Sequence, residues 1–146
     1  MKPPPPGWPR ISSALFYDDP ERAIEWLCRV FGFELRLRCD GPNGEILHSE
    51  LVLEGGVIMV ATAAGGKPRD VPFPGRSPRS LAGANTQSLC VYVDDVDGHC
   101  ARARAQGAVI IEEPETQDYG SEYWVDRGYR VEDAEGHQWW FVQRLR

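Results

Sequence analysis

The sequence predicts an α+β fold in which two tandem βαβββ modules form a curved mixed sheet around a cleft. The same order of signals occurs twice along the chain: a strand, an acidic helix start, a helix, a small-residue stop and further strands. The two occurrences align at a shift of 76 residues, so that FYDD at 16–19 matches YVDD at 92–95. An internal repeat of this kind sets the architecture of the whole chain.

The first module is predicted over residues 11–63, after an N-terminal arm at residues 1–10 that contains four consecutive prolines. Its first strand covers residues 11–17. Asp19 can cap the helix that follows, Pro20 suits the first helical position, and Gly32 ends the helix. Apolar residues repeat at helical spacing between these signals. Three strands follow, over residues 33–38, 45–53 and 57–62.

A segment rich in Gly, Pro, Arg and Ser separates the modules at residues 64–85 and is interpreted as a linker or mobile loop. Its arginines Arg69, Arg76 and Arg79 have two interpretations. They are solvated loop charges, the favoured interpretation, or they close over an acidic ligand.

The second module is predicted over residues 86–146. Its first strand covers residues 88–93, and a helix starts at Asp94-Asp95 and stops at Gly107. A short strand at 109–111, a polar loop at 114–122 and a strand at 123–132 precede a closing strand at 137–142.

The closing hairpin, YRVEDAEGHQWWFVQ at 129–143, is apolar on both faces. Gly136 supplies the positive φ of the turn. Side chains alternate along a strand, so Trp139 and Phe141 share one face and Trp140 and Val142 the other. We expect one face to pack on a helix and the other to face a cavity or a partner.

Composition places the chain among ordinary globular domains: it has 146 residues, 42% hydrophobic and 26% charged. The net charge of −6 disfavours nucleic acid and anionic membranes as partners. No apolar run approaches the roughly 20 residues of a membrane span, and the N-terminus lacks the apolar region of a secretory signal. We therefore expect a cytoplasmic protein.

The four cysteines include no CxxC pair. For a cytosolic protein this favours buried free thiols over disulfides or metal ligands. The residues concerned are Cys28, Cys39, Cys90 and Cys100.

The three histidines have different interpretations. His48 lies two residues before Glu50, so both share a strand face. They are either an exposed polar face, the favoured interpretation, or a hydrogen-bonding or acid–base pair in the cleft. His99, near the start of the second helix, is expected at the surface. His137 is expected to be structural, hydrogen-bonded to the acidic residues of the turn.

Three segments resemble the vicinal oxygen chelate superfamily, which includes glyoxalase I, bleomycin-resistance proteins and extradiol dioxygenases. They are LFYDDPERAIEWLCRVFGFEL, VYVDDVDGHCARARAQGA and YRVEDAEGHQWWFV. HSELVLEGGVIMVA and NTQSLCVYVDDVD further resemble its PhnB-type, glyoxalase-like branch. The resemblance implies the paired βαβββ fold. Likeness to bleomycin-resistance proteins implies a homodimer with clefts between its subunits.

The enzymes of that superfamily hold a divalent metal with four side chains, from the first and last strands of each module. The first strand here offers only Ser12 and Ser13, and residues 56–62 contain no His, Glu, Asp or Gln. Ser88 and Trp140 stand at the other two positions. Only Gln87 and His137 lie nearby, and neither is at a matched position. We therefore expect no metal and no cofactor, and glyoxalase or dioxygenase activity is not carried over.

Aromatic residues are the better site candidates, because Trp140 would replace a metal ligand with a flat apolar wall. Other side chains expected to reach the cleft or hold the ligand are Tyr92, Tyr119, Trp124 or Tyr123, Arg130, Glu50 and His48. The sequence therefore favours a metal-free protein that binds a small organic molecule, aromatic or cationic. The net charge of −6 slightly favours a cation.

Two other functions stay open. One is a metal-dependent lyase, isomerase or dioxygenase with non-standard ligands, or an enzyme using His48 and Glu50 as acid and base. The other is a structural or regulatory protein with a vestigial cleft.

Overall fold

The computed structural model describes residues 1–64 and 74–146. The elements of this part of the chain are β1 (Ser13–Tyr17), α1 (Pro20–Phe31), β2 (Glu34–Asp40), β3 (Ile46–Leu53), β4 (Gly56–Thr62), a 3₁₀ helix (Pro78–Leu81), β5 (Ser88–Tyr92), α2 (Val96–Ala105), β6 (Val109–Asp118), β7 (Val125–Glu132) and β8 (Gln138–Arg144).

The strands form two four-stranded mixed sheets of the same topology. Their orders are β1-β4-β3-β2 and β5-β8-β7-β6. In each sheet the first strand pairs in parallel with the last, and the other pairs are antiparallel. The chain therefore consists of two tandem βαβββ modules, as predicted; module one contains β1–β4 and module two contains β5–β8.

Both helices begin at an aspartate in matching positions of the repeat. The Asp19 carboxylate accepts a hydrogen bond from the Arg22 N–H at 3.2 Å. The Asp95 carboxylate accepts one from the Gly98 N–H at 2.9 Å. Such caps satisfy amide groups that have no partner within the helix. The α1 helix ends at Gly32 with a φ of +84°, as its position predicts.

The boundaries of β6 and β7 differ from the sequence prediction. Residues 114–118, predicted as loop, continue β6, and β7 begins at Val125. Pro114 lies within a register irregularity between Glu112 and Glu115. A bulge on an edge strand tolerates proline, which is why a proline there did not end the strand.

The segment between the modules is partly outside the described residues, and Arg69 lies there. Of its other arginines, Arg76 donates to the Ala64 carbonyl at 3.2 Å and Arg79 to the Ala134 carbonyl at 3.0 Å. Arg79 also lies 3.9 Å from the Glu135 carboxylate. Both arginines are exposed, which suits the solvated interpretation.

The two modules share one hydrophobic core. The Phe31 ring, at the end of α1, lies 5.3 Å from the Trp139 ring and 4.8 Å from the Phe141 ring of β8. Trp139 and Phe141 are fully buried. The buried face of β8 in module two therefore packs against α1 of module one.

The expectation that His99 lies at the surface is wrong, because α2 turns it into the shared core, where it is only 6% exposed. Its Nε2 lies 3.2 Å from the Phe31 carbonyl and its Nδ1 2.7 Å from the Tyr129 hydroxyl. Since a carbonyl only accepts, Nε2 carries the proton and Nδ1 accepts from Tyr129. Burial lowers the pKa of His99.

The turn between β7 and β8 forms hydrogen bonds with module one. The Glu135 carboxylate accepts hydrogen bonds from the N–H groups of Asp18 and Asp19, just before α1. The His137 N–H donates to Asp133, and its Nε2 lies 3.0 Å from the Phe16 carbonyl. The predicted structural role of His137 is thus confirmed, with a contact to module one in addition.

All four cysteines are free thiols, as predicted, but their burial differs: Cys100 is buried, Cys28 half-buried, and Cys39 and Cys90 exposed. The prediction of burial is wrong for Cys39 and Cys90. Both lie in strands and belong to sheet faces that no helix covers. Among residues 1–64 and 74–146, no helix has the length and apolar character needed to cross a membrane.

Candidate small-molecule binding site

A cavity of about 810 Å³ opens on the face of the module-two sheet opposite its helix. Strand register explains its floor. Trp140 of β8 lies between Cys90 of β5 and Arg130 of β7, and Val142 lies between Tyr92 and Gly128. The lining residues are Cys90, Tyr92, Glu112, Glu113, Pro114, Glu115, Gln117, Tyr119, Asp126, Gly128, Trp140 and Val142. All belong to module two, so the cavity lies on one sheet.

Trp140 is the large apolar wall of this cavity. Its neighbour Trp139 is fully buried in the core, whereas Trp140 is half-buried with its side chain on the cavity face. This is the alternation expected for a strand covered differently on its two faces.

Some of the other predicted aromatic residues line the cavity, and the others lie beside it. Tyr92 and Tyr119 line the cavity. Trp124 lies beside it, 5.7 Å from the Tyr119 ring and 5.9 Å from the Tyr123 ring, measured between centroids. The Arg144 guanidinium lies over the rings of both Tyr92 and Trp124, at 5.5 and 5.1 Å.

Arg130 supports the wall. Its guanidinium lies 5.6 Å from the Trp140 ring centroid and pairs with Glu112 at 2.8 Å. Its Nε is buried with no hydrogen-bond partner among the described residues. Arg130 thus fixes the Trp140 ring and neutralises one carboxylate without itself lining the cavity.

Four carboxylates line the cavity, and no lysine or arginine does so among the described residues. Three of these carboxylates form an ion pair with an arginine: Glu112 with Arg130, Glu113 with Arg104 and Asp126 with Arg144. The fourth, Glu115, makes no ion pair or hydrogen bond through its side chain within the described part of the chain.

Cys90 is an unsuitable nucleophile in this position. Although Cys90 is exposed at the surface, partial desolvation of its thiol by the cavity walls, followed by the charge of Asp126, raises the pKa of the thiol. A raised pKa keeps sulfur in the unreactive protonated form at neutral pH. Its short side chain instead leaves room beside the Trp140 ring.

The favoured interpretation of His48 and Glu50 as an exposed polar face is wrong for Glu50, which is only 8% exposed. The alternative, a hydrogen-bonded pair, is present, but the structure does not bring it together with Trp140. The His48 Nε2 lies 3.1 Å from the Glu50 carboxylate on β3, in module one. Arg36 donates to the same carboxylate at 2.7 Å and to the Gly7 carbonyl of the N-terminal arm. Hydrogen bonds from His48 and Arg36 lower the pKa of Glu50.

Sequence reasoning missed the acidic side of the cavity. Glu112 and Glu113 were left unassigned, and Glu115 fell in a predicted loop. The signal that could have found them is the group of three glutamates in IIEEPETQD, directly after the apolar strand residues Ile110 and Ile111. It also missed Gly128, whose missing side chain deepens the floor between Val142 and Glu115.

The residues present do not fit a catalytic divalent metal. Trp140 and Cys90 stand in register on the cavity face, and the carboxylates opposite are largely paired with arginines. In residues 1–64 and 74–146, no three His, Cys, Asp or Glu side chains group closely enough to hold a metal ion.

A family model described as the Glyoxalase/Bleomycin resistance protein/Dioxygenase superfamily matches residues 10–141. The chain belongs to this superfamily. The match covers both modules, and so it agrees with the repeat and the sheet topology.

Several known proteins resemble the chain along nearly its whole length. TioX from Micromonospora sp. ML1 is 36% identical, with a TM-score of 0.70 over 94% of this chain and 99% of that one. Uncharacterized protein Rv0887c of Mycobacterium tuberculosis is 31% identical over 94% of this chain and 76% of its own length. TnmS3, an antibiotic binding protein from Streptomyces sp. CB03234, is 18% identical with a TM-score of 0.64 over 91% of this chain and 93% of that one, and shares the fold.

Proposed function

We propose that this protein binds a small organic molecule in the module-two cavity, without a metal, and holds the flat apolar part of the ligand against Trp140. The observation that carries the proposal is the position of Trp140. It forms the wall of an open cavity of about 810 Å³, and the sequence resemblance implies that it stands where the superfamily's enzymes have a metal ligand. Pockets of this size suit drug-sized ligands, and aromatic walls bind planar groups.

The relatives support binding over catalysis. TnmS3, which shares the fold, is by its description an antibiotic binding protein. The chain lacks the donor set that the superfamily's metal enzymes use. Assignment to the PhnB-type branch and a cytoplasmic location are parts of the proposal that come from the sequence alone.

We further propose that the protein is a homodimer in which the module-one sheet of one copy faces the cavity of the other. His48 and Glu50 cannot reach Trp140 from their own sheet, because every lining residue of the cavity lies in module two. The module-one sheet face also exposes apolar surface: Leu37, in register with Glu50, is 42% exposed. A second copy would cover both surfaces.

A thermal-shift screen of planar drugs and metabolites tests the binding proposal. A bound ligand raises the melting temperature by mass action. We expect hits that disappear in Trp140→Ala and persist in Trp26→Ala, a half-buried tryptophan of α1 outside the cavity. Hits that survive in Trp140→Ala would place binding elsewhere.

Elemental analysis with an EDTA melt separates this proposal from the metal-dependent alternative. We expect no stoichiometric metal in protein purified without added metal, and no change of melting temperature in EDTA. One metal per chain together with an EDTA-dependent loss of stability would favour an enzyme with relocated ligands.

Molar mass by light scattering tests the dimer. We expect twice the chain mass, reduced toward the chain mass in Leu37→Asp. Leu81→Asp is the matched control, since Leu81 is similarly exposed at 44% but lies in the 3₁₀ helix, outside the module-one sheet. Equal effects of the two variants would contradict the proposed face.

A further inference from the structure

We infer that the ligand is a cation, with a flat apolar part on Trp140 and a positively charged group at Glu115. This inference rests on the proposed function and specifies its ligand class. It follows from the distribution of charge on the cavity wall, where four carboxylates face the space and no basic side chain among the described residues does.

Glu115 is the lining carboxylate that pairs with no lysine or arginine of the described residues. The charges of Glu112, Glu113 and Asp126 are balanced by Arg130, Arg104 and Arg144, each within ion-pair distance. Glu115 lacks such a partner within residues 1–64 and 74–146. Within the described residues the lining therefore has one carboxylate without an ion-pair partner, and this exposed group is free to pair with a cationic group of the ligand.

The cross-strand neighbour of Glu115 is Gly128, which has no side chain. A side chain there would be tightly packed: a Cβ on Gly128 would lie 3.1 Å from the Phe141 carbonyl oxygen and 3.3 Å from a Val142 methyl. A glycine inside a strand commonly marks the close approach of a ligand or another backbone. Here Gly128 allows close packing against β8, and no side chain at this position stands between the Glu115 carboxylate and the cavity.

The distance between Trp140 and Glu115 sets the distance between the flat part of the ligand and its charged group. Trp140 and Glu115 lie two strands apart and two residues along the sheet, as the register through Arg130 and Gly128 shows. Strand spacing and rise put their Cα atoms roughly 12 Å apart. A polycyclic ring with a short alkylammonium arm spans this distance, and both contacts attract it: ring stacking at one end and charge pairing at the other.

Three pyrene derivatives that differ only in the end group of a butyl arm test the inference: pyrenebutylamine, pyrenebutanol and pyrenebutyrate. We expect the amine to bind about threefold to tenfold more tightly than the alcohol, and the acid more weakly than either. Fluorescence anisotropy of pyrene gives each Kd. The gap between amine and alcohol should narrow in high salt, because salt screens exposed charges.

Glu115→Gln removes the charge at constant size. In this variant we expect the amine to bind within about twofold of the alcohol. Glu25→Gln is the matched control, with the same change of net charge on the exposed face of α1, and it should retain the gap. An amine–alcohol gap that is absent in the wild type, or that persists in Glu115→Gln, overturns the inference.

Trp140→Ala distinguishes failure of the cationic inference from failure of the proposed binding site. If Trp140→Ala weakens all three compounds but the wild type shows no charge preference, the cavity binds ligands and only the cationic class is wrong. If Trp140→Ala leaves all three unchanged, the proposed site itself is wrong. If none of the three binds, the cationic inference is overturned, and the compound screen decides the site.

Discussion

The Tyr17 hydroxyl of module one donates a hydrogen bond of 2.6 Å to the Asp133 carboxylate of module two. The same carboxylate accepts from the Trp139 indole N–H at 3.0 Å and from the backbone N–H groups of Glu135 and His137. Both carboxylate oxygens are thus satisfied at a buried junction, and Asp133 holds the β7–β8 turn, β8 and β1 in one arrangement.

Removing the Tyr17 hydroxyl should destabilise the whole chain, because the modules share a core. We expect Tyr17→Phe to lower the free energy of unfolding by about 1.5–3 kcal/mol, the usual range for a hydrogen bond to a charged group. Urea denaturation measures this. Tyr123→Phe, at a tyrosine 63% exposed, should change it by less than about 0.5 kcal/mol. Equal effects would show that the junction contributes little.

Alkaline pH should destabilise the protein through two buried tyrosines. Burial, followed by the charge of Asp133, raises the pKa of Tyr17, and burial raises the pKa of Tyr129. Both stay protonated in the folded chain above pH about 10, where unfolded tyrosine ionises. The stability is therefore present below that pH and is lost as pH rises, by about 1.4 kcal/mol per pH unit for each tyrosine. Urea denaturation at pH 9–11.5 should show a shallower decline in Tyr129→Phe; an unchanged slope contradicts the assignment.

Acid should destabilise the protein through His99. Its folded pKa is lowered by burial, so the unfolded chain binds a proton more readily below pH about 6.5. Stability conferred by neutral His99 is therefore present above that pH and is lost as pH falls. We expect His99→Gln to be less stable at pH 8 but to lose less stability between pH 7 and 5. His48→Gln, whose side chain is 36% exposed, should keep the acid-dependent loss of the wild type.

Substitutions of the adjacent residues Trp139 and Trp140 should have opposite effects: the first should reduce stability, and the second should reduce ligand binding. Trp139 is fully buried and hydrogen-bonded, so Trp139→Ala should cost about 3–5 kcal/mol of unfolding free energy. Trp140 faces an open cavity, and Trp140→Ala should cost only about 1–2 kcal/mol while abolishing ligand binding. Urea denaturation and the thermal-shift screen measure the two effects. A large stability loss in Trp140→Ala would identify this residue as core.

Gly136 is required by the conformation of the hairpin turn. Its φ is +91°, a region that costs other L-residues roughly 1–2 kcal/mol. Gly136→Ala should lower the unfolding free energy by that amount. Gly55→Ala is the control, because Gly55 has ordinary φ and open space at its Cβ position. A neutral Gly136→Ala would mean that the turn relaxes.

Local signals were sufficient for the elements and their order. Asp19 and Asp95 cap the helices because a side-chain oxygen reaches amides only three residues away. Alternation along β8 separated Trp139 from Trp140 without knowledge of any other strand. Pro114 misled the prediction because its effect depends on whether its strand lies at a sheet edge, and this depends on pairing with distant residues.

By itself, the sequence determined the repeat, the helix caps, the turn at Gly136 and the two faces of β8, since each depends on residues a few positions apart. Tertiary packing was needed to bury His99, to separate His48 and Glu50 from Trp140, and to leave Glu115, beside Gly128, without a lysine or arginine partner among the described residues. These features depend on strand register and on packing between modules, where residues far apart in sequence meet. Charge compensation at the cavity is a property of such pairs, and no single segment of the chain contains it.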